Sequence, residues 1–289
     1  MDERTLLTEA FEENRPYLRG VAYRMLGSMV DADDALQEAW LRLDRSASDR
    51  IDDLRSWLTT VVGRICLDML RRRKVREQEP LDGWLPEPIV SDADGSDPEG
   101  VAMVADTVGL ALLVVMEQLS PAERVAFVLH DVFAMPFDEV ADVLGRSPDA
   151  SRQLASRARR RVQGATLREE ADPREQRRVV DAFLAASRQG NLAMLLEVLD
   201  PEVVFRTDMG ATHPEVPTLI SGARAVAEQV LTRGTPLAGL AQPVLVNGSA
   251  GVVVGDREAP IAVVHFVVSG GRIVEIDLIA DPAKTIPRH

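Results

Sequence analysis

A chain of 289 residues, 46% hydrophobic and 4% aromatic, suits two or three small domains with Ala/Val/Leu-packed cores. Its 33 Lys and Arg against 46 Asp and Glu give a net charge of −13, which argues against non-specific coating of nucleic acid but leaves room for local basic readers. Cys66, the single cysteine, forms no internal disulfide, and no Cys/His cluster suggests zinc. The N-terminus has no signal-peptide core, and the longest apolar run, Val101 to Met116, is broken by Asp106 and too short for a bilayer. A cytoplasmic protein without membrane contact, metal or cofactor is expected.

From Leu6 to about Arg76 the pattern is helical. Phe11 to Leu26 repeats Tyr17, Val21 and Met25 four residues apart. Asp31 to Leu43 follows, opened by Asp31 or Asp33, with Leu36, Trp40 and Leu43 as its apolar stripe. Its outer face carries Asp33, Asp34, Gln37 and Glu38, which reads either as a solvated face or as a surface for a basic partner. A third helix runs from Asp53 to about Arg76, with Leu54, Trp57, Leu58, Val61, Ile65 and Met69 as its core stripe. From Leu54 onward it bears seven cations (Arg55, Arg64, Arg71, Arg72, Arg73, Lys74 and Arg76) against one carboxylate, Asp68. Such density suits phosphates. Trp57 is in phase with the core stripe, although a Trp can also stack on an extruded base.

Glu77 to Asp106 holds nine acids and no cation, and its Pro, Gly and Ser content marks a linker. At its start stands Trp84-Leu85-Pro86-Glu87-Pro88, an extended, pre-stiffened segment whose Trp84 and Leu85 need a surface. That segment is either a docking peptide or a linker tucked onto its own domain. Further on, Phe137, Val140, Ala141 and Leu144 share one helical face, and Gly145 ends that helix in the left-handed conformation. Ser147 and Pro148 restart the chain as a second helix. Leu154, Ala158 and Val162 form its inner side; Arg152, Gln153, Ser156, Arg157, Arg159, Arg160 and Arg161 lie on its other faces. The pattern is a helix-turn-helix with a basic recognition helix.

DADDALQEAWLRL, then LRSWLTTVVGRICLDMLRRR, then this helix-turn-helix resemble a bacterial extracytoplasmic-function (ECF) sigma factor. The resemblance implies a sigma domain over 1–76, an acidic linker over 77–105 and a second sigma domain over 106–167. It implies core RNA polymerase, through its β′ clamp and β flap, and promoter DNA as partners. Asp33, Asp34, Gln37 and Glu38 match the helix that docks on the β′ clamp. The helix carrying Arg64, Arg71, Arg72, Arg73 and Lys74 matches the part that reads and melts the minus-ten element; the polar loop Asp44 to Asp52 is where a pocket for an unstacked base is expected. Ser147, Asp149, Ser151, Arg152, Gln153, Ser156, Arg157 and Arg160 belong to the helix that matches the reader of the minus-thirty-five element. Of these, Arg152, Gln153 and Arg157 are types that reach base edges.

Beyond about Arg174 the pattern changes. Helices are predicted over Arg174–Ser187, Leu192–Leu199 (capped by Asn191) and Ala223–Leu231, with a short strand at Val203–Arg206. Strands follow at Val244–Val246, Val252–Val254, Ile261–Val268 and Arg272–Ile279, the last two joined by a Ser-Gly-Gly hairpin turn. Helices first and an antiparallel sheet after give an α+β domain over 174–289. It resembles the SnoaL-like, nuclear-transport-factor-two-like cone, which encloses a pocket. The fold class expected is therefore two all-α sigma domains followed by an α+β cone.

Sigma domains, WLPEP and a SnoaL-like tail together resemble the SigJ-like subgroup of ECF sigma factors, in which the fused tail replaces a separate anti-sigma protein. In place of the subgroup's DGGGK and NPDKL motifs this chain has Asp208-Met209-Gly210-Ala211-Thr212 and Asp281-Pro282-Ala283-Lys284-Thr285. Asp208, Gly210, Pro282 and Lys284 match, and with Trp84, Leu85 and Pro86 they are the residues expected to form a regulatory contact. Asp208, His213, His265 and Asp277 are the acid–base candidates were the tail an enzyme. A small-molecule ligand in the tail, and a stand-alone DNA-binding regulator that senses one, are the other readings.

Overall fold

The computed structural model describes residues 3–46, 53–76, 84–92, 109–165, 171–210 and 218–286. These fall into two units, one within 1–80 and 112–166, the other within 81–111 and 167–289.

The first unit is helical. Its opening helices are α1 (Glu3–Leu26), α2 (Met29–Arg45) and α3 (Leu54–Arg76). Ser28, rather than Asp31 or Asp33, caps α2, its hydroxyl accepting the Asp31 N–H at 3.2 Å. Serine caps as well as aspartate does, so the start moves back by one turn and Asp31 falls inside the helix. Leu18, Val21, Met25, Leu36, Leu43, Leu58 and Val62 are fully buried. Trp40 packs its ring 5.2 Å from that of Phe11. On α3 the deep side runs through Leu58, Val62 and Cys66, while Leu54, Trp57 and Met69 are only half-buried. Burial pushes the Cys66 thiol up, which makes it a packing group rather than a nucleophile.

The unit continues through α4 (Leu110–Glu117), α5 (Pro121–Phe127) with a π turn over Val128–Val132, α6 (Phe137–Leu144) and α7 (Pro148–Ala165). A capping box between Ser120 and Glu123 starts α5. Gly145 ends α6 at φ +62°, with the Arg146 N–H bonded to the Ala141 carbonyl at 3.0 Å. The inner side of α7 is Ser151, Ala155, Ala158 and Val162; Leu154, expected there, is only half-buried. Small residues let α7 approach closely, and that outweighs the hydrophobicity of Leu154.

Helices α3 and α6 pack directly. A Cβ at Gly63 would lie 3.0 Å from Val143 Cγ1, a contact that requires Val143 to give by a few tenths of an ångström. The Arg64 guanidinium donates to the Asp142 carbonyl at 3.0 Å, and the Ser56 hydroxyl donates to Glu139 at 2.7 Å.

The second unit contains α8 (Pro173–Gln189), α9 (Leu192–Val198), α10 (Ala223–Gln229) and α11 (Pro282–Thr285). Its strands are β1 (Val90–Ser91), β2 (Leu199–Asp208), β3 (Leu219–Ser221), β4 (Ala241–Val246), β5 (Ser249–Gly255), β6 (Pro260–Ser269) and β7 (Arg272–Ile279). They form one sheet in the order β1-β4-β5-β6-β7-β2-β3. The sheet is mixed, not antiparallel as expected: β2 runs parallel to β7, because the chain returns to the sheet through α10 and a meander before closing against its first long strand. One sheet face, with Phe205, Val252, Val264, Phe266 and Ile276, joins Val180, Phe183 and Val226 of the helices in a single core. The described part of the acidic linker, residues 84–92, belongs to this unit and supplies its edge strand β1.

Two glycine substitutions separate strain from crowding. Gly145→Ala lowers the stability of the helical unit by about 1–2 kcal/mol through its left-handed backbone alone. Gly63→Leu lowers it by about 1–3 kcal/mol through overpacking against Val143. Urea denaturation checks both, and a Gly63→Leu protein as stable as the parent contradicts the α3–α6 contact.

Candidate DNA-contact and linker-gripping sites

The expected DNA-contact residues divide by what the fold already asks of them. Arg71, Arg72 and Lys74 on α3 and Asp149, Arg152, Gln153, Arg157 and Arg160 on α7 are exposed. Asp149 and Arg152 bind each other at 2.5 Å, an exposed pair of small energetic weight. Ser147 caps α7, accepting the Ala150 N–H at 3.2 Å, and Arg160 reaches Ser156 at 3.4 Å. Ser151 is a correction: it is fully buried and bonds the Ser147 carbonyl, so it packs α7 rather than facing a groove. Arg73 is another: it holds Asp31 at 2.6 Å and the Leu26 carbonyl at 3.2 Å, tying α3 to the α1–α2 turn. Arg64, exposed, is engaged with α6. Of the loop expected to hold a base pocket, residues 47–52 lie outside the described residues.

On α2, Asp33, Asp34 and Gln37 are exposed and Glu38 half-buried. Arg19 forks onto both oxygens of Asp33 at 2.7 and 2.8 Å, and Arg42 holds Glu38 at 3.0 Å. Asp34 and Glu38 line a polar groove together with Arg72 of α3. The face is acidic, preformed and part-neutralised by its own arginines.

In the second unit the matched motif residues meet. The Asp208 carboxylate, 7% exposed, accepts the Leu85 N–H at 2.9 Å, the Lys284 ammonium at 2.6 Å and the Gly210 N–H at 3.0 Å. Lys284 also donates to the Leu85 carbonyl at 2.7 Å and sits 4.3 Å from the Trp84 ring centroid. The peptide groups on both sides of Leu85 are thus held by opposite charges that also hold each other. Leu85 is fully buried, worth about 1.5–3 kcal/mol, and Pro86 is buried beside it. Pro282 starts α11, which presents Lys284, and Asp281 caps it by accepting the Ala283 N–H at 2.9 Å. Gly210, at φ +61°, leaves room for Asp281, whose Cγ would lie 2.9 Å from a Cβ there.

Sequence reasoning missed the second anchor. Asn247 accepts the Ile89 N–H on its side-chain oxygen and donates its own N–H to the Ile89 carbonyl, at 2.9 and 2.8 Å. Val90 and Ser91 then pair with Val246 and Leu245, and Asp92 bridges to Arg257. The signal was the Asn247-Gly248 pair, a tight-hairpin turn that puts Asn247 at φ +48° and its side-chain oxygen on the Ile89 N–H.

The described acid–base candidates do not converge on a pocket. Arg206, Asp277 and His265 are register neighbours across β2, β7 and β6. His265 and Asp277 are fully buried and 3.2 Å apart, and Arg206 bridges Asp277 and Glu275 at 3.1 and 2.8 Å. Burial would raise the Asp277 carboxyl, but His265 and Arg206 outweigh it and hold it below the usual carboxylate range. A cavity of about 220 Å³ lies on the other face, lined by Thr207, Val264, Phe266 and Leu278 among others, and neither His265 nor Asp277 borders it. Asp208 is committed to the linker, and His213 lies outside the described residues. Among the described residues no cluster of His, Cys, Asp and Glu could hold a metal, and no helix is long and apolar enough to cross a membrane.

The grip predicts that Asp208→Asn and Lys284→Met each speed hydrogen exchange of the Leu85 amide by about tenfold or more, because each leaves a buried charge without its partner. Unchanged exchange in both variants contradicts it. The lowered Asp277 carboxyl contributes stability that is present above its unfolded value of about 3.9 and is lost as pH falls through the folded one. Asp277→Asn therefore flattens the acid limb of the stability–pH curve, as read by urea midpoints between neutral and acid pH.

Residues 10–76 match the Sigma-70 region 2 family and residues 109–162 match Sigma-70, region 4. The chain is 41% identical over 287 residues to the ECF RNA polymerase sigma factor SigJ of Mycobacterium tuberculosis (strain ATCC 25618 / H37Rv), covering 95% of this chain and 91% of that one. It is 34% identical over 295 residues to the probable ECF RNA polymerase sigma factor SigI of the same species, covering 99% and 97%. The crystal structure of M. tuberculosis SigJ matches with a TM-score of 0.76 at 39% identity, covering 96% of this chain and 97% of that one. Two sigma regions in order, the α+β cone behind them and this end-to-end likeness do not favour a stand-alone regulator: the chain belongs to the family of ECF RNA polymerase sigma factors.

Proposed function

We propose that this chain directs core RNA polymerase to its promoters in the cytoplasm and that its own C-terminal domain, not a separate anti-sigma protein, restrains it. The acidic α2 face with Asp33, Asp34, Gln37 and Glu38 meets the β′ clamp, and opposite charge speeds that encounter. The α4–α7 region adds a contact with the β flap. Exposed Arg71, Arg72 and Lys74 take minus-ten phosphates, and Arg152, Gln153 and Arg157 take minus-thirty-five base edges. The tail supplies no catalytic group in this scheme; the polymerase does the chemistry.

The observation that carries the reading is the hold of Asp208 and Lys284 on the backbone of Leu85. The linker joins the two DNA readers, so a domain that fixes residues 84–92 limits how far they separate. Separation is required. The promoter elements lie about 25 base pairs apart by their names, roughly 85 Å of duplex, whereas α3 and α6 are in hydrogen-bond contact through Arg64 and Ser56. Tethering lets a grip of small intrinsic strength suffice, and polymerase competes with it by binding the separated form.

Run-off transcription with purified core polymerase, on promoters upstream of the protein's own gene, tests this with the full chain, a chain ending near Leu167, and Lys284→Met. The truncated chain and Lys284→Met give at least about fivefold more specific transcript than the parent. No transcript from any form overturns the initiation role. Equal transcript from all three overturns the restraint.

A further inference from the structure

The helix-turn-helix carries an arginine that the fold holds in place before any DNA arrives. Arg152 stands in the second turn of α7, and its guanidinium lies over the Phe137 ring, 5.5 Å from the centroid. The sequence puts Phe137 on the core stripe of α6, yet the residue is only half-buried. Its ring packs nearly flat against that of His130, centroids 3.7 Å apart with 27° between the planes. His130 lies in the π turn and donates its Nδ1–H to the Met135 carbonyl at 2.9 Å. Within this loop Ala134 takes φ +55°, a left-handed conformation that persists in an alanine only where the surroundings impose it. Asp149, one turn earlier on α7, takes an Arg152 N–H at 2.5 Å. Such an exposed pair adds little stability; what it does is fix where the guanidinium lies.

We propose that Phe137 and Asp149 are positioning residues that aim Arg152 at a guanine of the minus-thirty-five element, with His130 backing the Phe137 ring. The proposal rests on the reading of that element by α7. An arginine recognises guanine by donating to O6 and N7 together, and this requires its planar fork to be oriented to the base edge. An arginine without such supports has to be ordered as it binds, at a cost of about 2- to 10-fold in affinity. Here a ring and a carboxylate have already ordered it. Without them the cost falls on guanine promoters alone, since only there is the fork used. Loss of either support therefore narrows the gap between guanine and the other bases at one base pair and leaves the other base pairs as they were. Asp149 adds a sign of its own. Its charge opposes that of the phosphates, so Asp149→Asn uses non-guanine promoters as well as the parent or better, while its guanine preference falls.

The test is transcription by core polymerase with the full chain, from a promoter library randomised over the minus-thirty-five element, with transcripts counted by sequencing. The parent prefers guanine at one base pair by about tenfold or more, and Arg152→Ala erases the preference at that base pair only. Phe137→Leu and Asp149→Asn each lower it by about 2- to 10-fold, and Phe137→Tyr, which keeps the ring, retains it. A parent with no guanine preference, or one that survives Arg152→Ala, overturns the assignment of Arg152. The parent's preference kept in both Phe137→Leu and Asp149→Asn overturns the positioning. So does a loss spread over all base pairs, which marks a merely structural role. Asp149→Asn alters an exposed side chain, so it decides the matter even where Phe137→Leu lowers the melting temperature. No transcript from the parent overturns the initiation role instead, so the two failures are read apart.

Discussion

One buried carboxylate organises the C-terminal unit of this molecule. Asp208 stands at the end of the first long strand of the sheet and receives two backbone N–H groups and an ammonium. Its charge tolerates burial because Lys284 neutralises it within hydrogen-bond distance, and Lys284 tolerates burial for the same reason. What the pair recognises is the main chain of Leu85, by its N–H and its C=O, together with the face of Trp84. Backbone recognition fixes the register of the bound segment, and the buried Leu85 side chain supplies the apolar area. The two charges come from strand and helix ends that are themselves joined by the Ala280–Asp208 hydrogen bond, so neither moves alone.

The helical unit obeys a different constraint. Its two sigma regions share an interface, built where α3 meets α6. Gly63 and Val143 set the closeness, and Arg64 stands in it through the Asp142 carbonyl. Arg73 of the same helix is engaged with Asp31 and the end of α1.

Much of this was legible in the sequence, for local reasons. Gly145, Ser147-Pro148 and Asn191 mark helix ends by their own chemistry, and the Ser-Gly-Gly turn marks the β6–β7 hairpin. The errors were of range or of face. Ser28 and Asp31 are equivalent as caps by residue type, and the Ser28 hydroxyl on the Asp31 N–H puts the start a turn earlier than expected. Ser151 and Ala155 form the buried stripe of α7 because they are small, a criterion that hydrophobicity ranks below Leu154. Alternation along β6 puts His265 with Val263 and Val267, but alternation does not say which face holds the cavity. The parallel partner of β2 and the linker strand β1 depend on residues far off in the chain, and no window of sequence contains both partners.

The linker strand has a cost that appears only when it leaves. Val90 and Ser91 cover one edge of the sheet, on β4 at Leu245 and Val246. A released linker uncovers those backbone donors and acceptors beside apolar side chains, and such an edge is a template for pairing with another chain. Pro243, without an N–H, blunts the same strand two residues earlier. While the linker strand stays paired, that edge is hidden from other chains.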